Sequence, residues 1–316
     1  MHLTLRQLQV FEAVARHLNY TRAAEELFMT QPAVSGHIRQ MEEEAGLPLI
    51  EHVGKRLYLT DAGAEVQRAA LDVRHRLEDL EMAVADLAGM VRGHLRLAVT
   101  TTAKYFAPHL LGGFSRRYPG VEIRLEVSNR ENVLERLAAN EDELAIMGRV
   151  PKGMNVTGTA FTENPLVVVA PPEHPLVGEG EITPERLAEE PFVVREAGSG
   201  TRLAMEQYFA ERGLSLKGSM ELGSNETIKQ AVMAGLGLSV LSWHTLSLER
   251  TTGRLVVLDV AGFPLKRHWY AVHLKEKKLS VVARTFLDFL TEEGGDLVQQ
   301  VASGEVVPEA TYEAGR

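Results

Sequence analysis

Apolar positions at Leu5, Leu8, Phe11, Val14 and Leu18 recur at helical spacing and predict a first helix. It ends near "HLNYT", where Thr21 is placed to cap a short second helix with Ala24, Leu27 and Phe28 on its buried side. A tight break follows at Met29, and Thr30 is placed to cap a third helix. Pro32 is tolerated in that helix's first turn because its missing N–H would be unpaired there anyway. Val34, Ile38 and Met41 turn this helix toward a core, and "AGLPL" stops it. "LIEHVGKRLYLT" then alternates around Gly54, which reads as a short hairpin with Lys55 and Arg56 near its tip.

From Asp61 a long helix begins, with apolar positions Val66, Ala70, Val73, Leu77, Leu80, Val84, Leu87 and Val91 at alternating steps of four and three. That is coiled-coil spacing, flanked by the charges Arg74, Arg76, Glu78, Asp79 and Glu81, and it favours self-association over a helix lying on its own domain. After residue 92 the period changes. "LRLAVT", "YFAPHLLGGFSRRYP", "VEIRLEV", "ENVLERLAAN" and "ELAIMG" read as βαβαβ, and a related order recurs from "LVVVA" at 166 through "LSVLS". "HWYAVHL" and "VVARTFLDFL" close the second half. The expected organisation is a helical head with a hairpin at 1–60, a linker or dimerisation helix at 61–92, and a ligand-binding α/β domain at 93–292. Within it, lobe I covers about 93–162 and 266–292 and lobe II about 163–265, and a loosely ordered tail follows at 293–316.

The outer face of the third helix is unusual. Pro32, Ser35, Gly36 and Arg39 are small, polar or basic, and no acid lies between Thr30 and Gln40, although 34 Lys and Arg face 43 Asp and Glu in the whole chain, net charge −9. Such a face suits a nucleic-acid groove. Small residues let the backbone come close, while Gln31, His37 and Arg39 supply donors, so three helices and a hairpin match a winged helix-turn-helix. Gln31 can reach an adenine edge, Arg39 a guanine or a phosphate, and Lys55 and Arg56 the backbone or minor groove; Thr30, Pro32 and Ser35 complete the surface. Residues 1–60 hold six Lys and Arg against seven Asp and Glu, so the head is not basic overall and any nucleic-acid surface is local.

With 45% hydrophobic and 24% charged residues the chain is an ordinary globular one. It has no cysteine, which excludes disulfides and thiolate metal sites, and no apolar run of membrane-spanning length; a cytoplasmic location is expected. Its 11 histidines form no HxxxH or HxH pair, "AGLGLS" comes after a helix rather than before one, and Ser199 in "GSGT" has no evident base. Catalysis, metal and cofactors are not indicated.

In open α/β lobes, ligands bind beyond the carboxyl ends of strands. Thr100, Thr101 and Thr102 fall at one such end, Ser128 and Asn129 at the next, and Arg149 at a third. Arg195, Ser199, Thr201, Arg202 and Asn225 take the equivalent places in lobe II. Each alone reads equally as a helix cap. Together they suit a small anion, phosphate or carboxylate, with Arg149 or Arg202 as charge partner.

"LRQLQVFEAVARHLNYTRAAEELFMTQPAVSGHIRQMEEEAGLPLI" with "LTDAG" resembles the amino-terminal domain of LysR-type transcriptional regulators, over roughly residues 3–92. The remainder to about 292 resembles that family's periplasmic-binding-protein-like effector domain. One departure stands at "LIEHVGKR", where the family usually has an aromatic and an arginine before the wing. "TTTAKYFAPHLLGGFSRRYPGVEIRLEVSNRENVLERLAANEDELAIMGRVP" is further similar to the subgroup controlling Calvin-cycle carbon-fixation operons, including the RuBisCO genes. The resemblance implies a homodimer or homotetramer on a double-stranded DNA operator, with RNA polymerase as a further partner. It implies an effector among phosphorylated sugars, phosphoenolpyruvate or nicotinamide and adenine nucleotides. The competing reading is a cytosolic α/β sensor or metabolic protein whose N-terminal helices only mediate assembly.

Overall fold

The computed structural model describes residues 2–54 and 56–303; Lys55, expected at the hairpin tip, and the end of the expected tail lie outside the described residues. The chain divides into two compact units, one up to Gly89 with Ala139–Glu141, the other Met90–Ala138 with Asp142 onward.

In the first unit, α1 (Leu5–His17), α2 (Tyr20–Glu26) and α3 (Gln31–Ala45) enclose Val10, Phe11, Val14, Val34, Ile38 and Met41. Asn19, and not Thr21, caps α2: its Oδ1 accepts from the backbone N–H of Thr21 at 2.9 Å and of Arg22 at 3.0 Å. The extended backbone needed of a cap falls at Asn19, two residues earlier than the spacing suggests. Thr30 does hold the cap position of α3, but its side chain makes no capping bond. β1 (Ile50–Val53) and β2 (Arg56–Leu59) form the expected antiparallel hairpin.

Thr60 caps α4 (Asp61–Leu87), a rod of about 40 Å at 1.5 Å per residue. Val66 and Ala70, expected in the self-association seam, serve the chain itself: Val66 packs on the three-helix core and Ala70 is buried. Val73, Leu77, Leu80, Val84 and Leu87 are 39–90% exposed and keep the seam open. Val91 lies beyond the helix, which ends at Leu87 with Ala88 as its cap.

The second unit begins with β3 (Gly93–Thr100), α5 (Ala107–Arg117), β4 (Val121–Ser128), α6 (Arg130–Ala138), β5 (Leu144–Met147) and β6 (Val156–Glu163). Lobe II supplies β7 (Leu166–Ala170), α7 (Pro184–Ala188), β8 (Pro191–Arg195), α8 (Gly200–Ala210), β9 (Lys217–Leu222), α9 (Asn225–Met233), β10 (Ser239–Ser242), α10 (Ser247–Thr251) and β11 (Val256–Val257). The chain then returns through β12 (His268–Leu274), α11 (Val281–Phe289) and α12 (Gly295–Ser303). Lobe I is one sheet, β4-β3-β5-β12-β6, in which β3 runs parallel to β4 and β5 while β12 is antiparallel to its neighbours. In lobe II, β10-β7-β11 and β8-β9 are joined through a parallel bridge between Phe192 and Leu238. Gly237 makes that approach feasible, since a Cβ there would lie 2.6 Å from the carbonyl oxygen of Pro191.

The lobes are connected by two segments that pair with each other. Leu166 N–H donates to Leu265 O at 3.1 Å, Leu265 N–H returns to Leu166 O at 2.9 Å, and Asn164 N–H donates to Arg267 O at 2.7 Å. The expected loose tail from 293 is corrected over its first part: α12 is a helix to Ser303 with Val298 and Ala302 buried. Its carbonyls at Val301 and Ala302 accept from Ser247 Oγ and Arg250 Nη1, both at 3.3 Å, so contacts with lobe II order a segment too short to announce itself.

Candidate nucleic-acid interface and ligand cavity

The outward face of α3 carries no acid in its first turn, and Gln31, Pro32, Gly36 and Arg39 are exposed while Ser35 and His37 are half-buried. A helix start attracts negative charge, so an acid-free first turn leaves that field for an outside anion. Gly36 costs helix stability relative to alanine, by about 1 kcal/mol. Its own fold does not require it, because a Cβ there would meet nothing within 4 Å. Its missing side chain leaves the outward face of α3 with a low profile at this position. Arg56 is exposed at the start of β2.

In the second unit the strand ends converge on a cavity of about 490 Å³ between the lobes. Of the residues expected there, Thr100, Thr101, Thr102, Arg149, Arg195, Ser199 and Thr201 line it. Four do not. Ser128 accepts from Asn132 Nδ2 at 3.1 Å, and Asn129 Oδ1 accepts from the Asn132 N–H at 2.9 Å, so both fasten the start of α6. Arg202 is held by Glu206, Glu221 and the carbonyl of Arg195, and its two acids neutralise it. Asn225 is buried behind Arg195, accepting from Nη1 at 2.8 Å and donating to Thr102 Oγ1 at 3.3 Å.

Sequence reasoning missed Arg130, Lys152, Lys266 and Arg267, which bring the cations of the lining to six. Glu196 is the one carboxylate among the described lining residues, and it grips Arg195 Nε and Nη2, both at 2.7 Å. Arg195 thereby becomes structural. It also reaches Thr101 Oγ1 and Thr102 Oγ1 at 3.2 Å, tying lobe II to lobe I. The remaining cations have no ion pair with an acid among the described residues. Arg130 donates to Arg149 O at 2.8 Å, and burial together with the Arg149 charge holds its guanidinium below the usual basicity. Arg130 is half-buried and Arg149 exposed, and neighbouring like charges of this kind are relieved by an anion placed between them. Opposite them α8 starts with no acid in its first turn, and Ser199 at its cap makes no capping bond.

A second tie between the lobes is apolar. Phe106, His244 and Trp269 meet edge to face, with Trp269 Nε1 donating to His244 Nδ1 at 3.3 Å. His244 is buried, its Nε2 has no hydrogen-bond partner, and burial pushes its pKa down to about 4. The unfolded imidazole near 6.5 binds a proton first as pH falls, so this unit loses stability between about pH 6.5 and pH 4. Thermal melts of wild type should show about 2 kcal/mol less stability at pH 5 than at pH 7 from this residue, and His244→Gln should flatten that difference.

A helical head whose third helix carries no acid over its first turns, an open rod and a hinged cationic cavity together define a ligand-responsive DNA-binding regulator. Residues 5–64 match the bacterial regulatory helix-turn-helix protein family, lysR type, and residues 88–295 match the LysR substrate binding domain. The chain belongs to the LysR family of transcriptional regulators. It is 52% identical to a RuBisCO operon transcriptional regulator of Allochromatium vinosum over 93% of this chain and 97% of that one. It is 50% identical to the HTH-type transcriptional activator CmpR of Synechocystis over 91% and 94%. Among solved structures, the Synechocystis CcmR regulatory domain in complex with 2-PG is 48% identical, with a TM-score of 0.60 over 63% of this chain and 95% of that one. A full-length OxyR variant from Pseudomonas aeruginosa, 22% identical, shares the fold with a TM-score of 0.73 over 95% of both chains.

Proposed function

We propose that this protein controls carbon-fixation genes in response to a small phosphorylated carboxylate of the 2-phosphoglycolate class, bound between the lobes. The observation that carries the effector reading is the cavity itself: six cations, one carboxylate already neutralised, and hydroxyls at strand ends, in a chain of net charge −9. Relatives named as RuBisCO operon regulators and a relative's domain holding 2-PG support the gene class and the ligand class. The lobes move only as far as the ligand prefers one orientation over another, and the paired hinge segments are where that preference is expressed. The open stripe of α4 joins two copies so that two α3 helices face half-sites on a duplex, and dimers pair into tetramers. RNA polymerase is the further partner, the protein works in the cytoplasm, and the reading invokes no catalytic step and no cofactor.

Titration calorimetry with 2-phosphoglycolate, inorganic phosphate and glycolate tests the ligand. Binding of the first well above the other two supports the reading, and absence of heat with all three overturns it. On the DNA side, Gln31→Ala should flatten base preference at one position per half-site, by about 1–3 kcal/mol of discrimination. Arg56→Ala should weaken binding evenly across sequences and lower the salt slope by about one. Selection from a random duplex pool, followed by affinity at two salt concentrations, distinguishes the two effects. An unchanged preference in Gln31→Ala would remove α3 from the reading role.

A further inference from the structure

Phe28, expected on the buried side of α2, lies outside: it is 97% exposed, the largest exposure among the described large apolar side chains of this head, while its neighbours Leu27 and Met29 pack on the core. Its backbone explains the reversal. Phe28 N–H donates to Glu25 O at 3.2 Å and Met29 N–H donates to Ala24 O at 2.8 Å, closing α2 in the manner of a Schellman turn. The residue at the turn's left-handed position is Phe28, with φ +53°. Glycine ordinarily fills that position because any Cβ is strained there. The chain therefore holds an aromatic ring in a disfavoured conformation, wholly in water, and gains no contact within its own fold.

The ring's location says what covers it. Phe28 stands two residues before Thr30, the cap of α3, so its Cα lies within about 7.6 Å of the helix end that enters the groove. Nothing acidic occupies that first turn. An apolar group at the edge of a major groove has one chemically matched target, the C5-methyl of thymine, against which Phe is a known type of contact. We infer that Phe28 reads a thymine methyl beside the position read by Gln31, adding a specificity contact that comes from the turn and not from the recognition helix. This rests on α3 being the groove-reading helix.

The test uses the full chain and a duplex selected by wild type from a random pool, with each thymine exchanged singly for uracil, which lacks the methyl. Wild type should lose about fourfold in affinity at one thymine per half-site, the worth of one buried methyl group. Phe28→Asn and Phe28→Gly, both at ease at positive φ, should melt no lower than wild type, bind the thymine duplex about tenfold more weakly, and be indifferent to that uracil. Wild-type affinity in Phe28→Asn, or the same uracil penalty in variant and wild type, overturns the assignment. So does a variant that binds the duplex normally yet fails in transcription, which would give the ring to a protein partner. If wild type selects no duplex at all, the reading role of α3 has failed instead, and the inference falls with it.

Discussion

Gly63→Ala is expected to lower the stability of the N-terminal unit by about 3 kcal/mol. An alanine Cβ at this position would lie 2.0 Å from Leu49 O and 3.0 Å from Leu49 C. Both are backbone atoms at the junction between hairpin and rod, and neither is free to retreat. Leu49 O accepts from Thr60 N–H at 3.1 Å, Leu49 N–H donates to Glu42 Oε1 at 2.9 Å, and Thr60 Oγ1 donates to Pro48 O at 2.7 Å. Thr60 Oγ1 also accepts from Gly63 N–H at 3.0 Å as the cap of α4. Alanine is the better helix former by about 1 kcal/mol, and that gain is smaller than the clash. Because domains are stable by only about 5–15 kcal/mol, the head should melt well below its wild-type temperature and lose DNA binding on mild warming. Equal or higher melting of Gly63→Ala would show that the junction has slack.

The second large effect concerns ligand. Arg149→Ala should weaken binding of 2-phosphoglycolate by about 10- to 150-fold, the range of one charge-assisted hydrogen bond. The protein without ligand should be no less stable, since Arg149 has no ion pair with an acid among the described residues and its charge opposes that of Arg130. Arg202→Ala provides the contrast. Its guanidinium is already committed to Glu206 and Glu221 away from the cavity, so its titration should match wild type. Calorimetry on the three proteins decides. Equal loss in both variants would mean that charge on α8 or just beyond β5 acts at long range and that the cavity does not hold the anion.

The cavity was half legible. Hydroxyls and arginines at strand ends could be found because an α/β lobe places its strand ends at one edge, and Thr100–Thr102, Arg149, Arg195, Ser199 and Thr201 follow that rule. Arg130 adjoins the expected Asn129 and was passed over, while Lys266 and Arg267 lie in the return segment between lobes, where no strand-end rule applies. A basic pair beside the chain's re-entry into lobe I was the available signal. The rod shows the converse: its four-three spacing is continuous, yet Val66 packs on the head's core, Ala70 is buried within the chain and Val91 belongs to no helix.

By itself the sequence determined the longer elements and their order, because helical and strand periodicities, caps and breakers act over a few neighbouring residues, whereas β6, the short α7, α10 and β11, and α12 carried no such signal. It also determined that one helix face would be stripped of acids. Only the tertiary structure decided which cations share a cavity, which arginines are already neutralised, and that Phe28 faces water. Charge pairing and burial depend on residues such as Arg195 and Thr101, 94 positions apart, meeting across a hinge, and no local spacing encodes that meeting.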